Sequence, residues 1–383
     1  MKSRLPAKRL KELALVAALC IVWFLIGWLA RGWLQPAGGL LVEQARQMLK
    51  DSYPAEAPED RVLDYAAIRG MLERTGDPYA ELMEPAVGQV YLSNVAGTLG
   101  IVGIHPVKRD GQIVADQVLP GQAADRAGLK SGDIILSVDG VSFDDQMTEA
   151  QAAMLHMAGP IGAVAHFVVK RGSAVMSFDV VRQENTLVTS RMLDDEIGYL
   201  FLSAFTQNAP QKVKAALQDL LKHNPKALVW DLRDNRGGSL AAAQQIISYF
   251  IKDGLLFTVE LKGPASKPFV AQGDQFVTDL PVVVLVNDET ASAAEAAAAA
   301  IQDHRRGTLV GVQTHGKSEI QTTPALGDGS LLHFSIGKLL SPNGQWYQDR
   351  GITPEVLVND ERDAQSDKAL EAAVDYLRRN LKQ

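Results

Sequence analysis

The chain has 383 residues and a formal net charge of −7, long enough for two or three domains with proper cores, and its charge balance argues against nucleic acid as a partner. Cys20 is its one cysteine, which excludes an internal disulfide, so the domains must be stable through their cores alone. The seven histidines are scattered, with no H-E-x-x-H or other tight ligand spacing; a zinc protease is not expected, and neither a metal nor a cofactor is implied.

Lys2, Arg4, Lys8, Arg9 and Lys11 precede an apolar run over residues 13–30, with Trp28 and Trp33 near its end. That length just spans a bilayer, and the basic residues belong on the cytoplasmic side. The sequence therefore predicts a cytoplasmic tail over residues 1–12 and a transmembrane anchor over 13–34. The remainder would lie outside a bacterial-type cytoplasmic membrane, as a single-pass protein. A cleaved signal peptide is the competing reading, but no A-x-A-like site follows the run. Cys20 follows Leu19 rather than a small residue, a poor context for lipid attachment.

Residues 35–90 read as a helical region. Residues 35–50, with Pro36 and Gly38-Gly39, are expected to be a short linker into a helix, and residues 51–60, with Pro54 and Pro58, a polar connection. Helical spacing over residues 63–75 then ends at a Gly76-Asp77-Pro78 turn.

Residues 91–182 form a β-rich segment. A short helix ends at Gly128, a tight turn holds Gly132-Asp133, a strand follows through Ile134 and Val138, and Asp139-Gly140 makes a hairpin turn. Each glycine alone closes a turn and nothing more. The pattern as a whole resembles a PDZ domain of the circularly permuted bacterial kind. In such domains a chain carboxylate docks on a turn and the peptide adds as a strand to the sheet edge. The resemblance maps that turn to Thr98, Leu99, Gly100 and Ile101, and it implies recognition of apolar carboxyl-terminal tails on protein or peptide substrates.

In residues 183–383, strands near Leu200, Leu228, Phe257, Val284 and Val310 alternate with helices near Val213, Ala242 and Ala296, which implies a layered α/β core. The first motif is Asp231-Leu232-Arg233-Asp234-Asn235-Arg236-Gly237-Gly238, a strand running into a glycine turn. Paired glycines let backbone N–H groups approach a ligand closely, although a turn is also all that such a pair needs to be. The second is Thr290-Ala291-Ser292-Ala293-Ala294-Glu295, placed between a β-branched strand and an alanine-rich helix. Ser292 has two readings there. With Glu295 it fits a capping box; at a strand-to-helix junction it is also a candidate nucleophile, with N–H groups and a helix dipole favouring developing negative charge. The third is Gly316-Lys317-Ser318-Glu319-Ile320-Gln321. A desolvated, neutral lysine can take a serine proton, and alternation would place Lys317, Glu319 and Gln321 on one face, where Gln321 could orient the amine.

Together these segments resemble the carboxyl-terminal processing (tail-specific) proteases of peptidase family S41. Gly70-Met71, Asp77-Pro78-Tyr79, Ile197-Gly198-Tyr199-Leu200 and Gly351-Ile352-Thr353-Pro354 also resemble that family's landmarks. The resemblance implies an S41-type layered α/β core of the crotonase/Clp-like kind with an inserted PDZ domain. It assigns Ser292 as nucleophile, Lys317 as general base and Gln321 as the residue positioning the lysine. The oxyanion hole would come from the N–H of Ala293 and of Gly237 or Gly238. The chain departs from the family at Ser318, where glycine is usual, and at Ala294, where a second serine is common. His315 is the substitute base if Lys317 is not one. The absence of a G-x-S-x-G elbow around Ser292 counts against an α/β-hydrolase. A terminal helix over residues 367–381, with Leu370, Ala373, Val374 and Leu377 on one stripe, would pack on the core or on a partner subunit in a homo-oligomer. A catalytically weak PDZ scaffold at the membrane is the alternative function.

Overall fold

The computed structural model describes residues 37–143, 156–184, 187–263, 265–273, 278–362 and 366–381. The apolar run expected to be an anchor lies outside these residues. Among the described residues no helix is long and apolar enough to cross a membrane. The chain divides into two units, residues 1–76 and residues 77–383.

In the first unit two helices, Ala37–Ser52 and Asp60–Glu73, are described. The expected linker is thus already helix. Gly38 and Gly39 fall in its first turn, where N–H groups lack intrahelical acceptors anyway and glycine costs least cooperative structure. Arg46 reaches Asp64 on the second helix.

The second unit is built on a sheet of six strands, in the order 188–192, 197–202, 227–231, 282–286, 307–311 and 356–357. The first pair is antiparallel and every later pair parallel. Its central strands, Ala227–Asp231 and Val282–Val286, are buried at every position, as expected for strands covered on both faces. Side-chain parity sorts the coverage. Leu200, Leu228, Trp230, Val282, Val284 and Val286 pack against the helices Ala209–Leu221, Leu240–Ile247 and Ala293–Asp303. Ile197, Ala227, Val229, Val283 and Leu285 pack against the terminal helix Lys368–Leu381 through Ala369, Ala373 and Leu377.

The strand near Phe257 does not join this sheet. Leu255–Leu261 lies in a separate antiparallel sheet with Ser266–Val270 and Leu331–Leu340, which also pairs Glu81–Met83 and Glu319–Thr322. Its hairpin partner at 266–270 draws it out of the βα alternation that its position in the sequence suggested.

The inserted module contains a sheet in the order 104–109, 112–118, 134–138, 164–171 and 174–181, with 141–142 on the side of 134–138. Gly128 is the left-handed cap of Ala123–Ala127 at φ 98°, and Asp139 and Gly140 both take positive φ, 52° and 80°, the signature of a type I′ hairpin. Asp133 is buried and accepts two bonds of 2.7 Å from Arg171. Residues 99–101 pair on one side with Gln183–Glu184 and on the other with Gly159–Pro160, so the chain enters and leaves the module on neighbouring strands.

Candidate active site

Ser292 follows the Val282–Val286 strand and opens the helix Ala293–Asp303. Its φ of 57° and ψ of −118° are far from the extended backbone of an ordinary N-cap. A non-glycine residue held in such a sparsely populated region costs about 1–3 kcal/mol and persists only where its surroundings over-determine it. Those surroundings are on hand. Ala291 N–H donates to the Asn235 carbonyl at 2.9 Å, and Ser292 N–H donates to Glu295 Oε2 at 2.9 Å. Glu295 therefore forms its half of the capping box, yet the serine's backbone is not that of a simple cap.

The glycine turn abuts this junction. A Cβ on Gly237 would stand 2.8 Å from Ala293 N and 2.9 Å from Ser292 Cβ, and the residue has φ 93°; only glycine fits. The two glycines are not equivalent as donors. Gly237 N–H is taken by Asn235 Oδ1 at 2.9 Å. The following peptide turns its carbonyl to Phe205 N–H at 2.8 Å, so Gly238 N–H, on the opposite edge of that planar unit, points away from Phe205. Gly238 N–H and Ala293 N–H have no acceptor among the described residues.

Lys317 is brought beside Ser292 through its backbone. Its N–H donates at 2.9 Å to Glu295 Oε2, the same oxygen that holds Ser292 N–H, while Gly316 N–H and the Thr314 hydroxyl bind Oε1 at 2.7 and 2.6 Å. The lysine amine stands 4.4 Å from the centroid of the Tyr79 ring, and among the described residues no hydrogen bond joins it to Ser292 Oγ. Burial lowers the proton affinity of Lys317, against Asp77 and Glu319, whose charges raise it; the net shift is downward. A depressed amine is what a lysine base requires.

Gln321 keeps its alternation with Glu319: the slip in the ladder of Glu319–Thr322 on Leu331–Leu340 is absorbed by an extra residue, Ile336, in the longer strand, and both side chains meet Ser335 Oγ. The Gln321 amide donates to the Glu319 carbonyl at 3.1 Å and to Ser335 Oγ at 3.4 Å. Ser335 is in turn bound to Asp77 by N–H at 2.7 Å and by hydroxyl at 3.0 Å, and Asp77 accepts Tyr79 N–H at 2.9 Å. Gln321 thus reaches the lysine's surroundings through Ser335, Asp77 and Tyr79. His315 is exposed, with Nδ1 3.3 Å from the Asp288 carbonyl.

Sequence reasoning quoted three further residues in its motifs without seeing their role at the site. Tyr79 is far from Lys317 in the chain and carries no periodic signal. Asn235 is wholly buried and fastens the glycine turn, donating to the Leu202 carbonyl at 2.8 Å; an Asn two residues before a glycine pair was a legible turn signal. Glu295 read as a cap alone.

In the inserted module, Gly100 is paired on both sides, with Glu184 and Gly159, and Leu99 on one side, with Pro160. A Cβ on Gly100 would lie 3.0 Å from Ile161 Cα. The open apolar cavity, of about 130 Å³, begins one step later, among Ile101, Val102, Gly103, Ile104, Leu119 and Met157. Of the four residues expected to receive a chain terminus, Ile101 alone lines it.

A serine at a strained strand-to-helix junction, a half-buried lysine tied to it and a glycine turn above a parallel sheet, with a β-rich module inserted upstream, define a serine-type peptidase. Comparison with known proteins supplies the family. The model described as Peptidase family S41 matches residues 196–358, and a PDZ domain model matches residues 114–171. The chain is 32% identical over 349 residues to the carboxyl-terminal-processing protease of Synechocystis, covering 86% of this chain and 80% of that one. It is 30% identical over 320 residues to the carboxy-terminal processing protease CtpA of Bacillus subtilis, covering 82% and 68%. The solved photosystem II D1 C-terminal processing protease matches with a TM-score of 0.55 and 27% identity over 84% of this chain and 92% of that one. The chain belongs to the carboxyl-terminal processing proteases of peptidase family S41.

Proposed function

We propose that this protein is a membrane-anchored extracytoplasmic endopeptidase that takes protein or peptide substrates by an apolar carboxyl-terminal tail and cleaves them by a Ser–Lys mechanism. Ser292 Oγ attacks the scissile carbonyl carbon while neutral Lys317 Nζ accepts its proton. The tetrahedral oxyanion is held by the N–H groups of Ala293 and Gly238, at the positive end of the helix dipole. The Lys317 ammonium then returns its proton to the departing amine as the C–N bond breaks, leaving an acyl-Ser292. Water, deprotonated by Lys317, hydrolyses that ester and restores the serine.

The observation carrying this reading is the shared Glu295 oxygen, which binds Ser292 N–H and Lys317 N–H at 2.9 Å each. It keeps the base's backbone beside the nucleophile, so the long lysine side chain needs only to leave the Tyr79 ring to reach Oγ. That contact opposes the move by about 0.5–2 kcal/mol, and catalytic hydrogen bonds commonly close only once substrate is bound. The tail would enter the cavity lined by Ile101, Gly103 and Leu119. The basic tail and apolar run of residues 2–30 support the anchor. The test is to incubate purified full-length protein in detergent with an unfolded protein bearing an apolar tail and to analyse products by mass spectrometry. New termini internal to the substrate are expected, and fewer of them at equal concentration with an amidated tail.

A further inference from the structure

We propose that Glu295 is a positioning residue for the reaction, holding nucleophile and base in register through one ionised carboxylate; this rests on the reading of Ser292 and Lys317 as the catalytic pair. A helix cap needs only the Ser292 N–H. The other three bonds, from Thr314 Oγ1, Gly316 N–H and Lys317 N–H, run to the loop after the strand Gly307–Gly311, 19 to 22 positions away. They do nothing for the helix. They place the lysine's backbone on the oxygen that also fixes the serine's strained backbone.

All four partners are donors. The Thr314 hydroxyl oxygen already accepts Ile352 N–H at 2.7 Å, which leaves its proton for Glu295. A carboxylate has room for these four bonds only when ionised; a proton on either oxygen would face a donor. The residue is wholly buried. Burial raises its proton affinity, the four bonds pull it back, and the balance stays above the ordinary glutamate range. Acidification therefore releases this clamp before it would neutralise an ordinary glutamate.

The other titratable group facing Glu295 is the Tyr347 hydroxyl, which burial pushes well above the usual tyrosine value and which stays neutral. Around Lys317 stand Asp77, Glu319 and His333. Burial pushes Asp77 up, but its bonds from Ser335 and Tyr79 hold it below the ordinary range; burial and the lysine charge lower His333. Thr314 touches Glu295 and none of these, so it separates the clamp from its neighbours.

The test is the pH dependence of kcat/KM for the full-length protein in detergent, with an unstructured fluorogenic polypeptide ending in an apolar tail. Where Lys317 alone titrates, log kcat/KM should rise by about one per pH unit, and below the Glu295 transition by about two. Thr314→Val deletes a bond that favours the ionised form, so the break should move to higher pH. Glu295→Gln should lower kcat by about 100-fold or more, keep KM within about three-fold and leave a slope of about one throughout. A break that Thr314→Val does not move, or a folded Glu295→Gln with kcat within about two-fold of the parent, overturns the proposal. If Glu295→Gln does not fold, the Thr314→Val break decides alone. Undiminished turnover by Ser292→Ala would instead remove the catalytic pair, a different failure from that of the clamp.

Discussion

Ser292 carries backbone strain at the point where bond formation is expected, and the surrounding bonds rather than its own hydroxyl keep it there. Ser292→Ala should therefore abolish cleavage while costing only about 1 kcal/mol of stability as a lost cap, read as mass-spectrometric product and thermal midpoint. Lys317→Arg keeps the charge but cannot supply a neutral base; turnover should fall to background, and retained activity would redirect attention to His315. Because burial depresses Lys317 and the neutral amine is the working form, the parent's rate should climb with pH through a transition below the ordinary lysine value of about 10.4. A flat profile from mild acid to alkali would remove the lysine from the mechanism. Gly237→Ala should lose both activity and about 1–3 kcal/mol, because its φ of 93° and the close Ala293 N leave no room for a methyl group. The residue types and order of this site were legible from short motifs. Its wiring was not: Tyr79 lies under Lys317 only because Glu81–Met83 pairs with Leu331–His333, a long-range register that no local pattern encodes.

At the scale of elements, the two-faced burial of the parallel strands followed directly from their unbroken apolar runs, and so did the packing of the terminal helix through Ala373 and Leu377. Apolar spacing could not reveal the polar lock at that helix's start. Buried Arg233 binds Asp231, Asp367 and Asp360 at once, tying the glycine-turn strand to Lys368–Leu381, and Tyr199 adds its hydroxyl to Asp231 at 2.7 Å. Arg233→Ala would leave buried Asp231 and the partly buried Asp360 and Asp367 without their cation, and a loss of about 3–5 kcal/mol is expected by denaturant unfolding. The pH dependence has a definite sign. Burial raises Asp367, but its bonds and charge contact with Arg233 override that and hold it below the ordinary range. Its contribution is present above the unfolded value of about 3.9 and is lost as pH falls through the folded value. The acid loss of stability below about pH 4 should flatten in the variant.

For the whole molecule, the cavity proposed to take the tail and the site proposed to break the bond are built from different residues, so the two can be tested apart. Leu119→Asp puts a charge into the apolar cavity of about 130 Å³; it should raise KM for tailed substrates by about ten-fold or more while sparing kcat. Amidating the substrate tail should act on the parent in the same direction. Equal kinetics in both cases would make the inserted module structural. The surroundings of the lysine have a further consequence, in time rather than in space. Asp77 and Ser335 are 258 positions apart, a stretch that takes on the order of tens of seconds to synthesise at roughly 5–20 residues per second. Ser292 and Lys317 both emerge before Ser335 and the strand that carries it. A growing chain thus displays its nucleophile and base while the strand that seats Asp77 and Tyr79 beneath the lysine is still unmade. The lysine's surroundings are therefore completed only once the strand Leu331–Leu340, which comes after both Ser292 and Lys317 in the chain, has been made.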